Sequence, residues 1–378
     1  MGKKKQYYNI KPLLQHEANY YILLGMRANG KSYQVKLTAL ENAFKTGGQF
    51  VYLRRFREDI KGYYVESYFA DMPIEKITDG KYTSVIAFQG FLYFATENEK
   101  GEIIKGSRIG RYCALSEAYR YKSNAFVNYD YIIYEEFITD ELYLSSEPDK
   151  LQQFVSTVAR DKNIKVLLIG NTISRVCPYF SEWALTGTLK QKPATIELYH
   201  MKDDKGNDTA TIAVENCTAV ENDSKMFFGK ATKQILSGEW DVKVSPRLPK
   251  PLKEYETLYE MQIIYQLFIF KMLLLLDNDG ACYVFIYPAK DKNDKMRTLS
   301  TDFSTYQQTT TAFNLKSRME CKILECFKMG KVCYSDNLTA ADFAQVLQQY
   351  KILSDKCATL RVMLVSSCRT AKANIDNK

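Results

Sequence analysis

The residues best suited to do chemistry are Gly25 to Ser32, "GMRANGKS", which fit the phosphate-loop spacing G-x-x-x-x-G-K-[ST]. Glycine at positions 25 and 30 lets the backbone bend and approach phosphate oxygens with no Cβ in the way. Successive N–H groups and a helix N-terminus then cradle the anionic oxygens. Lys31 would reach the β- and γ-phosphates, and the Ser32 hydroxyl would ligate Mg²⁺. Arg27, inside the loop, counts with Gly25, Gly30, Lys31 and Ser32 among the nucleotide-contacting residues. The pattern predicts a nucleoside triphosphate site.

Turnover at such a site needs an acid for the Mg²⁺ shell and a second group to orient the attacking water. Glu135 and Glu136 stand directly after the apolar run Tyr131 to Tyr134, Glu135 placed for the metal and Glu136 for the water. The usual first acid is Asp, so Glu135 is a departure whose extra methylene shifts the contact or inserts a water. Arg54, Arg55 and Arg57 end a second run, "VYLRRFR", where open α/β sheets gather ligands. A solvated basic edge explains each of these arginines equally well. Asn171 follows the run "IKVLLIG", where many motor ATPases place a γ-phosphate sensor, and Arg160 is a candidate arginine finger for a neighbouring subunit. By spacing alone, one asparagine and one arginine near a strand are usually structural.

The elements that must position these residues are legible around them. Tyr21 to Leu24 reads as a buried strand, and Val35, Ala39, Leu40, Ala43 and Phe44 recur as one helix face. Gly47 and Gly48 supply a stop before the next strand, Gln49 to Leu53. From Met72 to about Gly110, aromatic runs alternate with turn signals such as Asn98 to Gly101, as in a β-hairpin insertion on the core. Leu151 to Ala159 is helical in character. "SKMFFGKATKQILSGEW" suits a short helix, and "VSPRLPKPLK" carries three of the nine prolines, the mark of a semi-rigid linker. From Lys253 come apolar strands, a turn at Asn278 to Gly280, two helical stretches and a polar tail from Ser366. Asp277, Asp279 and Asp302 raise the question of a nuclease, although "DND" reads as a plain hairpin turn.

At 378 residues two domains are expected, and a hydrophobic fraction of 46% is ample for sizeable cores. The net charge of +8 permits a polyanionic partner without requiring one. Nine scattered cysteines and two histidines, His16 and His200, argue against zinc and His-based catalysis and favour reduced thiols. The N-terminal "MGKKKQYYNIKPL" lacks the apolar core of a signal peptide. Gln262 to Leu276, the most apolar stretch, is too short to span a bilayer and reads as buried strands.

Taken in order, "GMRANGKSY", "QFVYLRRFR", "YKSNAF", "YIIYEEFI", "STVAR" and "GNTISRVCPYF" resemble the podovirus DNA encapsidation proteins, the packaging ATPases of φ29-like bacteriophages. The resemblance runs from about Tyr20 to Phe180 and is faint beyond. It implies an α/β fold: a P-loop NTPase domain of the additional-strand, conserved-glutamate (ASCE) division, with a mainly parallel sheet, over residues 1–216. A linker or lid would cover 217–252, and a smaller α/β domain resembling a vestigial RNase H-like nuclease 253–378. It further implies ATP and Mg²⁺ as cofactors. The expected assembly is a homomeric ring, usually a pentamer, docked on the portal of a prohead in the host cytoplasm and driving double-stranded DNA inward. A packaging RNA stays open as a further partner, and no membrane partner is implied.

Residue by residue, the resemblance puts Lys31 and Ser32 on the Walker A lysine and serine and Glu136 on the catalytic glutamate. Glu135 falls where the family suggests Asp, and Arg160 falls on the trans-acting arginine. Lys122 falls on a second basic interface residue, Arg54 and Arg55 on paired arginines near the nucleotide, and Asn171 on the polar sensor. Two other classes stay open: another P-loop enzyme, such as a helicase-like translocase or small-molecule kinase, and a structural ring component that uses ATP only to hold its assembly.

Overall fold

Apolar runs unbroken by polar residues suit strands covered on both faces, and the centre of the first sheet is built from them. A computed structural model of the chain describes residues 8–160, 162–203, 205–217, 245–300, 310–311 and 317–350. These divide into two compact units. The first takes the described residues within Met1–Thr139, Leu144–Ile173 and Glu182–Trp240, the second those within Asp140–Tyr143, Ser174–Ser181 and Asp241–Lys378.

The first unit carries β1 (Tyr20–Leu24), β2 (Gln49–Arg54), β3 (Ser84–Phe88), β4 (Phe91–Glu97) and β5 (Ile103–Ala114). It continues with β6 (Tyr129–Glu135), β7 (Lys165–Ile169), β8 (Thr195–Lys202) and β9 (Asp208–Asn216). They form one nine-stranded sheet in the order β3-β4-β5-β2-β6-β7-β1-β9-β8. The run from β5 to β9 is parallel, while β3, β4 and β8 add antiparallel edges. Ile22, Leu23, Val51, Leu53, Ile132, Ile133, Leu167 and Leu168 are buried at its centre. The register Leu23↔Ile169 and Glu135↔Ile169 brings the C-terminal ends of β1, β6 and β7 level, so whatever follows each strand meets at one edge.

The Lys31–Thr46 helix buries Val35, Ala39, Leu40 and Ala43, and ends at Gly47, whose φ of +73° suits glycine at a helix stop. The Glu147–Ala159 helix begins four residues before the expected Leu151, with Pro148 in its first turn. The expected hairpin insertion is present in β3, β4 and the first part of β5, which pair antiparallel as far as Arg111. The end of β5 joins the core of the sheet, running parallel to β2 from Gly110 to Ala114. Its 12 residues are long enough to pair with β4 at the start and β2 at the end.

The second unit holds β10 (Glu256–Tyr265), β11 (Phe268–Leu276), β12 (Cys282–Pro288), β13 (Thr298–Ser300), β14 (Thr310–Thr311) and β15 (Val332–Tyr334). Their order is β14-β13-β10-β11-β12-β15. The meander β10-β11-β12 is antiparallel, while β13 joins β10, β14 joins β13 and β15 joins β12 in parallel. The Arg318–Lys328 and Asn337–Tyr350 helices supply Ile323, Phe327, Phe343 and Leu347 to a core with Ile263, Met272, Leu274 and Ile286. Gln262 to Leu276 is thus a buried hairpin, as its composition indicates. Part of the proline-rich stretch is bound to this unit: the Tyr334 N–H donates to the Pro246 carbonyl, and Arg247 donates to the Tyr334 carbonyl. The helix expected in 224–240, Asp302 and the tail from Ser366 lie outside the described residues. Among those described, no helix is long and apolar enough to cross a membrane.

Asp277 closes the β11–β12 turn: its Oδ1 accepts from the N–H groups of Asp279 and Ala281 at 3.0 and 2.7 Å. Losing both bonds costs about 2 kcal/mol. Asp277→Ala should therefore lower the denaturation midpoint of the second unit, whereas Asp279→Ala, at a position 78% exposed, should leave it nearly unchanged.

Candidate functional site

At the end of β1 the chain turns through Gly25 (φ +148°) and Gly30 (φ +95°), the latter capping the Lys31–Thr46 helix. The φ of +148° at Gly25 is one that residues with a Cβ rarely adopt, and a Cβ there would stand 3.2 Å from Asn29 Nδ2 and 3.4 Å from Cys217. Two contacts outside the motif brace it. The Tyr8 N–H donates to the Asn29 carbonyl, and the Tyr8 hydroxyl donates to Glu215 at 2.6 Å.

Lys31 is only 4% exposed. Its ammonium donates to the carbonyls of Met26 (2.8 Å) and Gly25 (3.4 Å) and to Asn171 Oδ1 (2.7 Å). Burial pulls its pKa below the ordinary lysine value; Cys217 and Glu135 oppose that, and the exposed Arg27 adds to it. Asn171 arrives because β7 lies beside β1, tied by the Gly170 N–H to the Leu23 carbonyl and the Thr172 N–H to the Gly25 carbonyl.

Ser32 and Glu135 converge, the hydroxyl donating to Oε1 at 2.6 Å, while the Tyr68 hydroxyl donates to Oε2 at 2.7 Å. Burial holds the Glu135 pKa above the ordinary glutamate value, against the pull of these two donors and the charges of Lys31 and Arg54. Hard oxygen donors in this number suit Mg²⁺, which takes few protein ligands and keeps several waters. Among the described residues no cluster of three or more His, Cys, Asp or Glu could hold a metal ion.

Glu136, at φ +57°, turns outward and pairs with Arg54 at 2.6 Å; Arg54 also faces Asp59 at 4.0 Å. Arg55 departs from the expected nucleotide contact. Its Nε and Nη2 bind Glu147, Nη1 donates to the Glu136 carbonyl, and Nη2 also donates to the Phe137 carbonyl. Glu147 is fully buried and accepts as well from the Tyr134 hydroxyl and the Leu144 N–H. Arg55 therefore ties down the backbone turn on which Glu136 sits.

The described contacts bring neither Arg160 nor Lys122 to this cluster. Arg160 ends the Glu147–Ala159 helix, exposed, with Nη2 donating to the Asn124 carbonyl at 2.9 Å, and Lys122 is exposed. Tyr68, Asn29, Tyr8 and Glu215 were not anticipated. Tyr68, Tyr8 and Glu215 act across long sequence separations that no local pattern marks, whereas Asn29 sits within the phosphate loop, its Oδ1 accepting from the Lys31 N–H.

The family of Podovirus DNA encapsidation proteins (Gp16) matches residues 1–200. The chain belongs to that family. The DNA packaging protein of Bacillus phage phi29 is 28% identical over 181 residues, 47% of this chain and 50% of the relative. The DNA packaging protein of Bacillus phage B103 is 26% identical over 245 residues, 58% of this chain and 70% of the relative. The chain thus spans about half the length of the phi29 relative it matches. The fold is like that of a chain in a solved structure, the bacteriophage Phi-29 viral genome packaging motor assembly, with a TM-score of 0.57 at 19% identity. That likeness covers 94% of this chain and 99% of the other. Every candidate residue from Gly25 to Asn171 falls inside the encapsidation-protein match, and the described strands β10 to β15 fall beyond it.

Because its pKa is raised, Glu135 holds its proton to higher pH in the folded chain than in the unfolded one. Ionising it costs stability as pH rises from the ordinary value through the raised one, and the cost persists above. Glu135→Gln should therefore melt higher than the parent at pH 7 without ligands, the gap closing toward about pH 4.

Proposed function

We propose that the chain is an ATP-hydrolysing motor subunit that drives double-stranded viral DNA into a preformed prohead. The observation that carries this is the meeting of Ser32 and Glu135 beside the buried Lys31, at the end of β1 in an encapsidation-family chain. The names of its relatives, DNA packaging proteins and a packaging motor assembly, support the same reading. β7, between the phosphate-loop strand β1 and the acid-bearing β6, is the added strand of an ASCE-type P-loop NTPase. In the second unit the order β12-β11-β10-β13-β14, with an antiparallel meander and parallel β13 and β14, supports an RNase H-like fold. Asp277 clasped in a turn supports the loss of its nuclease. The domains proposed are an ATPase over 1–216, a linker over 217–252 whose last residues attach to the following unit, and an RNase H-like domain over 253–378.

In this reading Lys31 exchanges its carbonyl and Asn171 partners for phosphate oxygens, and Asn171 senses the γ-phosphate. Gly25, Arg27 and Gly30 line the loop around the phosphates. Ser32 and Glu135 would hold Mg²⁺, whose charge when bound offsets that of the β- and γ-phosphates. Glu136 orients the attacking water once it is free of Arg54, because a carboxylate paired at 2.6 Å has one oxygen occupied. Arg55 keeps Glu136 on its turn. Arg160 and Lys122, exposed and away from their own loop, serve the site of the adjacent subunit in a pentameric ring on the portal. The ring works in the host cytoplasm, with a packaging RNA as a further candidate partner.

Lys31→Ala should abolish ATP binding, while Glu136→Gln should bind ATP and not turn it over. A trans-acting arginine speeds hydrolysis by about 10³–10⁵. Rings that mix Arg160→Ala subunits with Glu136→Gln subunits should therefore regain, at mixed junctions, hydrolysis that neither parent ring shows. No recovery with confirmed co-assembly would mean that Arg160 acts within its own subunit or is merely structural. ATP turnover that ignores both DNA and proheads would instead favour another P-loop enzyme.

A further inference from the structure

We propose that Tyr68 is a positioning residue for Glu135, and that its hydroxyl is what lets a glutamate serve where the phosphate-loop pattern calls for aspartate. The proposal rests on Ser32 and Glu135 being the cation-holding pair. A glutamate has one more rotatable bond than an aspartate, so its carboxylate needs an outside constraint to keep a single orientation. Both oxygens are held here, Oε1 by Ser32 at 2.6 Å and Oε2 by Tyr68 at 2.7 Å. A cation taking the Ser32 side would leave the Tyr68 bond in place, so the carboxylate would not have to reorganise.

Tyr68 is itself fixed. Its ring stacks on Tyr52 with centroids 4.5 Å apart and meets Phe69 edge-on at 5.0 Å. The Lys36 ammonium lies 4.6 Å above the ring and donates to the Tyr68 carbonyl at 2.6 Å. Lys36 also pairs with Asp71, and it lies on the helix that begins with Lys31 and Ser32. Val65 and Phe69, on the same Gly62–Phe69 helix as Tyr68, are buried in the core. The 2.7 Å bond from the Tyr68 hydroxyl is a normal O–H···O length, so the fixed ring holds Oε2 of Glu135 in one place. Partners that orient metal ligands typically contribute a factor of 10–100 in metal affinity.

Tyr68→Phe keeps the ring, its stacking and the Lys36 contact while deleting the hydroxyl. With the full-length chain and ATP, Mn²⁺ titrated by electron paramagnetic resonance should bind about 10–100-fold more weakly in Tyr68→Phe than in the parent. ATP affinity measured without divalent cations should be unchanged, and hydrolysis should need more Mg²⁺ but reach nearly the parental kcat. In a Glu135→Ala background, Tyr68→Phe should change Mn²⁺ affinity no further. Unchanged Mn²⁺ affinity in the single variant would overturn the proposal, as would an equal loss in the Glu135→Ala background. Failure of the underlying reading looks different: the parent would bind Mn²⁺ no better than its Ser32→Ala variant, whatever stands at position 68.

Discussion

A lysine ammonium sealed from water at the mouth of a parallel sheet is the constraint on which the rest of the first unit depends. An unpaired buried charge costs several kcal/mol, so Lys31 is tolerable only where oxygens surround it. Its own loop supplies two carbonyls, and β7 delivers the third acceptor, Asn171. The level strand ends then bring Glu135 within reach of its field. All three acceptors are oxygens of the kind a phosphate also presents, so the proposed role of Lys31 asks it to exchange like for like.

The same sheet geometry separates two arginines that the sequence sets side by side. Arg54 is the last residue of β2 and Arg55 the first beyond it, and their side chains part there. Arg54 turns to Glu136, and Arg55 turns to the buried Glu147 and the carbonyls beyond β6. One arginine restrains the outer carboxylate and the other fixes the backbone carrying it. Two consecutive basic residues near a ligand edge are thus one candidate contact and one structural clamp.

What could be read from the chain was what lies within a single element and its exit. The phosphate loop, the paired acids and Asn171 each follow an apolar strand directly, and parallel pairing puts such exits at one edge without further information. The hairpin insertion up to about Gly110 was legible from its turn signals, but that its last strand runs on to pair with β2 has no local mark. The Asp277 turn was legible, since Asp-Asn-Asp-Gly is turn chemistry in itself. Tyr68 was not. It stands 67 residues before the acid it binds, on a short helix whose exposed Tyr63 and Tyr64 make its tyrosines look like surface residues. Tertiary hydrogen bonds of this kind leave no periodicity to detect.

The central claim is that the carbonyl-bound Lys31 is the resting form of a phosphate ligand. The measurement that meets it most directly is a structure of the chain with Mg²⁺ and a slowly hydrolysed ATP analogue. The account predicts β- and γ-phosphates against the N–H groups of the Gly25 to Ser32 loop. It also predicts the Lys31 ammonium moved from the Met26 carbonyl to phosphate oxygens, and the cation beside Ser32. A nucleotide bound elsewhere, or a Lys31 still held by Gly25, Met26 and Asn171 with phosphates in place, would contradict it.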